Sequence, residues 1–186
     1  MVVVTKIGNS AFYGCGTTSI NIPDSVMEIG DGAFSWCGLT SIIIPDSVTK
    51  IGVSAFEGCN GLTSATIGNS VNEIKSNTFR ECFGLTSVTI GNSVTSIGGS
   101  SFGRCTSLVS VTIGNSVNRI QDYAFNGCSS LTEVTCYATT PPVLGFSDFT
   151  KATNDTLYVP SESVQAYLDN TAWNDAFDGN IQAIQE

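Results

Sequence analysis

The sequence predicts an α/β repeat solenoid: a right-handed coil with a parallel sheet of short strands on one face, short helical turns on the opposite face, and a C-terminal cap. Three recurring features predict this class. A phenylalanine recurs every 22 or 23 residues, a cysteine follows each one by three residues, and a short alternating segment follows each cysteine. The two columns are Phe12, Phe34, Phe56, Phe79, Phe102 and Phe125, and Cys15, Cys37, Cys59, Cys82, Cys105 and Cys128.

Each unit opens with a segment in which apolar and polar residues alternate, the period of a half-buried strand. Because the same segment returns one unit later, these strands are predicted to stack in parallel. Their apolar pairs are Ile20 and Ile22, Ile42 and Ile44, Ala65 and Ile67, Val88 and Ile90, Val111 and Ile113, and Val134 and Cys136.

The rest of each unit contains a turn, an extended step and a second turn. A Pro-Asp or Gly-Asn pair favours the first turn, because proline presets φ and glycine or asparagine tolerates positive φ. A Val-x-x-Ile step, such as Val94 to Ile97, then predicts a second short strand. The unit closes around its Phe and Cys, where one helical or 3₁₀ turn is expected.

The first residues match the middle of a unit, with Val4 and Ile7 in the places of Val26 and Ile29. An uncapped solenoid end exposes apolar surface and unpaired backbone. We therefore expect that upstream residues are missing or that another chain covers this end, which would allow self-association there.

The repeats are predicted over residues 1–136, with the first unit truncated, and a C-terminal cap over residues 137–186. Residues 145–149 resemble a decayed unit, and residues 156–159 are predicted to form the final strand. Ser161 is expected to cap a short helix. Thr171 is expected to cap a second helical turn. Their apolar faces carry Val164, Tyr167 and Leu168, and Trp173 and Phe177.

Six of the seven cysteines occupy one column, which favours a ladder of buried free thiols that act as small apolar groups. Stacked strands lie about 4.8 Å apart. A disulfide needs Cβ atoms near about 3.8 Å, so bridges between coils would be strained. A ladder also spreads its sulfurs along the axis, which disfavours a tetrahedral metal site.

Charge and composition exclude several functions. The net charge of −9 disfavours nucleic acid and anionic membranes as partners, and no apolar run is long enough for membrane insertion. The chain has no histidine, and no phosphate-binding glycine motif follows a strand, so neither an enzyme nor a cofactor site is expected. Residues 137–186 are acidic, with Lys151 as their single base, and are expected to present a solvated acidic face.

Residues 85–90 read L-x-x-V-x-I, which resembles the leucine-rich repeat. The recurring LTSVTIGNSVTSIG…AF…C more narrowly resembles the BspA-like subfamily over residues 4–136, and CYATTPPVLG…LYVPSESVQAYLDNTAW resembles the C-terminal segment of such proteins. The resemblance implies a curved solenoid of a bacterial surface or secreted protein, with any export signal outside this sequence. Family members are associated with adhesion to host matrix proteins or to other bacteria.

If the apolar strand residues point inward, the residues between them form a polar outer face about 25 Å across. This face is the candidate site for a protein or glycan of the host matrix or of neighbouring cells. A soluble surface without a partner, on a passive structural spacer of a larger surface protein, is the alternative. The candidate residues are Ser41, Ile43, Ser64, Thr66, Ser87, Thr89, Ser110, Thr112, Glu133 and Thr135, and the equivalent earlier pair is Ser19 and Asn21.

Overall fold

The computed structural model describes residues 3–149 and 155–185, which form a solenoid of parallel strands closed at one end by helices. Fourteen short strands, two α-helices and one 3₁₀ helix make up the described chain. The strands are β1 (Lys6–Ile7), β2 (Glu28–Ile29), β3 (Ser41–Ile44), β4 (Lys50–Ile51), β5 (Ser64–Ile67), β6 (Glu73–Ile74), β7 (Ser87–Thr89), β8 (Ser96–Ile97), β9 (Ser110–Ile113), β10 (Arg119–Ile120), β11 (Glu133–Cys136), β12 (Val143–Leu144), β13 (Thr156–Val159) and β14 (Ile181–Ala183). The helices are the 3₁₀ helix Ser161–Ser163, α1 (Val164–Asp169) and α2 (Thr171–Ala176).

The largest sheet has seven parallel strands in the order β14-β13-β11-β9-β7-β5-β3. Val88 of β7 pairs with Ala65 on one side and Val111 on the other, so equivalent residues of successive coils are in register. All three are buried. The predicted parallel stacking and the inward facing of the apolar strand residues are confirmed.

The predicted second short strand is also present, but its ladder is divided into two sheets. One sheet has the order β1-β2-β4 and the other β12-β10-β8-β6. The division between β4 and β6 coincides with the change of period, because Ile51 follows Ile29 by 22 residues and Ile74 follows Ile51 by 23. The extra residue lies between Cys59 and Leu62, and the seven-stranded sheet keeps its register across it, because β3 and β5 pair residue by residue.

The strand predicted around Ile20 and Ile22 is wrong, because the sheet begins one coil later, at β3. The coils after it carry a buried leucine just before this strand, and Thr17 stands in that place in the first coil. Thr18 still accepts a hydrogen bond from the backbone of Thr40, but no ladder continues from there over residues 19–22. Without the leucine, this edge segment has less apolar surface to hold it against the next strand.

The turns around the phenylalanines contain hydrogen bonds of the 3₁₀ type, such as the one from Cys37 N to Phe34 O at 3.0 Å, but no helix forms there. Backbone of positive φ interrupts each turn on both sides of the ring. Ser54, two residues before Phe56, has φ 54°, and Trp36, two residues after Phe34, has φ 58°. A helix cannot continue through these left-handed positions.

The core is a continuous stack of rings beside a column of thiols. Neighbouring rings from Phe12 to Phe125 are nearly parallel, with centroids 5.1–5.4 Å apart. This spacing lies within the favoured range for offset stacking. The cysteines are free thiols, and Cys82 Sγ donates to Phe56 O at 3.2 Å. The ladder of free thiols is therefore confirmed, and four of them tie one coil to the phenylalanine carbonyl of the preceding coil: Cys59, Cys82, Cys105 and Cys128.

The coil continues past Cys136 before the helices close it. β12 pairs with β10, and the ring of Phe149 stacks on that of Phe125 at 5.1 Å. Trp173 and Phe177 then pack against Phe149, with centroids at 5.6 and 5.2 Å. The C-terminal helices therefore act as the predicted cap.

Several details of the predicted cap are corrected. Ser161 caps no helix; its hydroxyl donates to Glu162 Oε2, and α1 begins three residues later. The second helix is capped by Asn170, whose Oδ1 accepts from Trp173 N, so Thr171 lies inside the helix. The strand at residues 156–159 is confirmed but is not the last, because β14 pairs beside it.

The acidic residues of residues 137–186 do not form one solvated face. Asp148 is 3% exposed and Asp155 is 4% exposed, so both are buried in the cap region. Asp148 accepts hydrogen bonds from Gly145 N and Ala124 N at 2.5 and 3.3 Å, which pins the last coil to the preceding one. Lys151 lies outside the described residues.

Candidate partner-binding face

The ten predicted outward residues form two straight columns on the seven-stranded sheet. The first column holds Ser41, Ser64, Ser87, Ser110 and Glu133, and the second holds Ile43, Thr66, Thr89, Thr112 and Thr135. Ser41, Ile43, Thr66, Thr89 and Glu133 are exposed, and the other five are half-buried. We call these two columns the sheet face. Ser19 and Asn21 are exposed but lie outside the sheet.

The sheet face is long, polar and almost without charge. Glu133 is its single ionisable residue, and Ile43, which is 71% exposed, is its one apolar residue. The register carries both columns further than the sequence predicts, to Thr156 beside Glu133 and to Tyr158 beside Thr135. The sequence predicts β13 as a strand, but the irregular stretch before it hides its register with the repeats.

A groove of about 460 Å³ runs beside the second column, where the strands end. Its floor is backbone, because glycine recurs at this place in three successive coils, Gly68, Gly91 and Gly114. A Cβ at Gly91 would lie 2.5 Å from the carbonyl oxygen of Gly68, so coil packing requires glycine there. We call this feature the strand-end groove.

The two walls of the strand-end groove are polar. One wall is the threonine column Thr66, Thr89 and Thr112, and the other contains Asp46, Asn69 and Asn92. Asn92 N donates to Asn69 Oδ1 at 2.9 Å, and Asn115 N donates to Asn92 Oδ1 at 3.2 Å. Because backbone N–H groups fix these oxygens as acceptors, each side-chain amide has a defined orientation.

The ends of the groove are apolar. Ile43 lies at one end and Tyr137, 44% exposed, at the other. Tyr137 occupies the place of Gly114 in the next coil and also lines a hollow with Pro160 and Glu162 of the cap. From the sequence alone, the Gly-Asn pairs predict only turns. The sequence signal for a groove is that glycine occupies one repeat position in three successive coils and an aromatic residue, Tyr137, occupies it in the next.

The opposite end of the solenoid is open. Phe12 is 37% exposed, and a hollow of about 350 Å³ beside it is lined by mainly apolar residues, among them Val4, Ile7 and Ile22. The expectation that this end exposes apolar surface is confirmed. Its cover by another chain or by a second copy stays a prediction.

Neither a membrane-spanning helix nor a cluster of metal-binding side chains is present among the described residues. Within residues 3–149 and 155–185, no helix has the length and apolar character needed to cross a bilayer. In the same part of the chain, no three acidic, cysteine or histidine side chains come together in a way that would hold a metal ion.

One family model matches most of the chain. It describes a BspA type leucine rich repeat region, and six copies of it cover residues 4–157. The match includes the strand residues of the sheet face and the whole strand-end groove. Among curated proteins, no sequence matches the chain.

Solved structures of leucine-rich repeat proteins are similar in fold. A protein from Eubacterium ventriosum superposes with a TM-score of 0.69 at 24% identity, over 80% of this chain and 44% of that one. The T. pallidum leucine-rich repeat protein gives 0.54 at 31% identity, over 71% of this chain and 52% of that one. The pneumococcal vaccine antigen PcpA gives 0.53 at 13% identity, over 98% and 66%. The chain thus spans about half the length of the first two structures.

Proposed function

Because the chain belongs to the BspA-type leucine-rich repeat family, we propose that it is a non-catalytic interaction module of a bacterial cell-surface or secreted protein. In this proposal the sheet face binds a macromolecule on a host matrix or on a neighbouring cell. The module contributes adhesion, and no chemical step takes place on it.

The observation that carries the proposal is the sheet face itself. Its two columns run without interruption across five coils and contain one carboxylate and one exposed isoleucine. Repeat proteins commonly bind through such extended surfaces. A surface of this size, polar and nearly uncharged, suits a broad partner better than a small molecule, which is usually held in an enclosed pocket.

The proposal is tested by placing lysines on the face. We expect the double variant Ser64→Lys/Ser87→Lys to lose capture of bacterial-surface or matrix partners by the immobilised protein, because long charged side chains would interrupt the polar column. Ser76→Lys/Ser130→Lys is the matched control, since both serines are exposed and lie off the sheet face. Capture is quantified by mass spectrometry from matrix and bacterial-surface extracts, and each captured component is then measured in purified form.

Loss of binding by the face variant alone supports the proposal. Equal binding by wild type and both variants contradicts it and favours the passive spacer, whose outer face has no partner. A catalytic turnover of any captured partner would contradict the non-catalytic part of the proposal.

A further inference from the structure

We propose that the strand-end groove binds a neutral, extended oligosaccharide, with β-1,4-linked sugars as the chemical class. The inference rests on the proposed function, because it assigns a partner chemistry to one border of the same face. It is carried by the polar groups on the two walls, by the repeat distance between them, and by the charge of the lining.

The walls offer hydrogen-bonding groups that the fold leaves unused. Within residues 3–149 and 155–185, the hydroxyls of Thr66, Thr89 and Thr112 make no hydrogen bond to the protein. The Nδ2 groups of Asn69 and Asn92 have none there either, while their Oδ1 atoms are occupied by backbone N–H groups. Two successive coils therefore each present one hydroxyl, which can donate and accept, and one amide donor: Thr66 with Asn69, and Thr89 with Asn92. Sugar hydroxyls pair with both.

The repeat distance favours a sugar chain over a peptide. Successive Thr–Asn pairs lie one coil apart, roughly 4.8 Å, and the groove spans four such steps between Ile43 and Tyr137, roughly 19 Å. Successive rings of an extended β-1,4-linked chain alternate in facing, so the same side of the chain returns at every second ring, which is close to two coil spacings. An extended peptide repeats the same side at about twice its rise of roughly 3.3 Å per residue, which falls out of step with the coils.

The charge of the lining selects a neutral ligand. The groove contains Asp46 and no lysine or arginine. An anionic glycan would therefore meet a carboxylate without a compensating cation, in a protein of net charge −9. Tyr137 at the end of the groove offers an amphipathic ring, which can pack against the apolar face of a terminal sugar and hydrogen-bond through its hydroxyl.

The test is calorimetric titration with tetrasaccharides of defined chemistry. We expect cellotetraose, xylotetraose or mannotetraose to bind, while maltotetraose, whose α-linked chain curves, and the anionic tetragalacturonate do not. Thr89→Val removes one wall hydroxyl at constant shape. Asn92→Asp removes one amide donor and keeps the oxygen that accepts from Asn115. Each is expected to weaken binding about tenfold, the scale of one lost hydrogen bond.

Asn72→Asp is the matched control, because it adds the same charge at an exposed asparagine outside the groove. Unchanged thermal unfolding of the three variants shows that the fold is kept. Binding that Thr89→Val and Asn92→Asp weaken and Asn72→Asp leaves intact supports the assignment. Binding of none of the neutral β-linked sugars, binding that tolerates both groove variants, or stronger binding of tetragalacturonate overturns it.

Failure of this assignment can be told apart from failure of the proposed function. Ser64 and Ser87 do not line the groove, so their lysine variants report on the sheet face separately. If these variants abolish partner capture and no sugar binds, the oligosaccharide assignment fails and the interaction module stands. If they change nothing and no sugar binds, both fail.

Discussion

The two ends of the ring stack differ in how their last phenylalanine is covered. Phe149 is 8% exposed, because Trp173 and Phe177 of the helical cap lie over it. Phe12 stacks on Phe34 on one side only and is 37% exposed. A repeat can hide its ring only against the next coil, so the stack closes only where the sequence departs from the repeat.

The cap replaces coil-to-coil bonds with side-chain bonds. Trp173 Nε1 donates to Pro142 O at 2.7 Å, and Tyr167 Oη donates to Ala138 O at 2.8 Å. Both aromatic residues are fully buried, so each covers apolar surface and satisfies a backbone carbonyl at once. The open end has no such side chains among its described residues. The difference predicts that reactivity and stability vary along the axis.

The largest difference is expected in thiol reactivity. A hydrogen bond from the Thr17 side chain lowers the pKa of Cys15 at the open end, whereas burial raises the pKa of Cys59 and of Cys128 to about 12. Because the thiolate is the reactive form, Cys15 should be alkylated at neutral pH far faster than Cys59 and Cys128. Mass spectrometry of the native protein labelled with iodoacetamide measures this. Cys15→Ser should remove the fast phase, and equal labelling of several thiols would contradict the comparison.

Ring truncation should separate the interior of the stack from its open end. Phe102→Ala removes a fully buried ring and is expected to lower the free energy of unfolding by about 3–5 kcal/mol through loss of burial and cavity formation. Phe12→Ala should cost about 1 kcal/mol, because that ring is covered on one side. Urea denaturation measures both. The outward Thr89→Ala should change stability by less than about 0.5 kcal/mol, and equal costs for Phe102→Ala and Thr89→Ala would contradict the assigned facing.

Removal of the Tyr167 hydroxyl should destabilise the capped end, by less than Phe102→Ala destabilises the interior of the stack. Tyr167→Phe leaves the buried Ala138 carbonyl without its donor, and the expected cost is about 1–3 kcal/mol. Tyr158→Phe is the control, because Tyr158 lies half-buried on the outer side of the sheet. Hydrogen exchange should show faster exchange in α1 and β14 of the Tyr167 variant. No difference between the two variants would mean that the hydroxyl does not hold the cap.

The repeats were predictable from the sequence and the ends were not, for a physical reason. Where Phe, Cys and strand residues recur, six copies can be compared with one another. The repeat period therefore predicts which residues stack in one column and which face the core. The missing strand at residues 19–22 is a departure of a single copy, which the period conceals. The left-handed backbone on both sides of each phenylalanine recurs in every unit, but residues as different as Ser54 and Trp36 adopt it, so residue type does not reveal it. In the cap, Asn170 and not Thr171 caps the second helix. The sequence does not reveal this, because the cap has no second copy with which its register could be compared. The Gly-Asn pairs were visible as turns, but the groove that they form depends on how coils stack.

The smallest effect is expected at the junction between coil and cap, as a dependence on pH. Burial, and to a lesser extent the neighbouring Asp122 carboxylate, raises the pKa of Asp148 from 3.8 to about 6, although backbone N–H groups of Ala124 and Gly145 oppose the shift. Since the folded pKa exceeds the unfolded one, the stabilisation from protonated Asp148 is fully present below about pH 4 and is lost as the pH rises through about 6.

Asp148→Asn should flatten the dependence of the unfolding free energy on pH between pH 4 and 7. The altered hydrogen bonds of the asparagine shift the unfolding free energy by the same amount at every pH, so they do not change this slope. Asp175→Asn, which removes an exposed acid of α2, controls for the change in net charge. A slope kept in full by Asp148→Asn would place the titrating group elsewhere and would mean that the junction tolerates the buried charge.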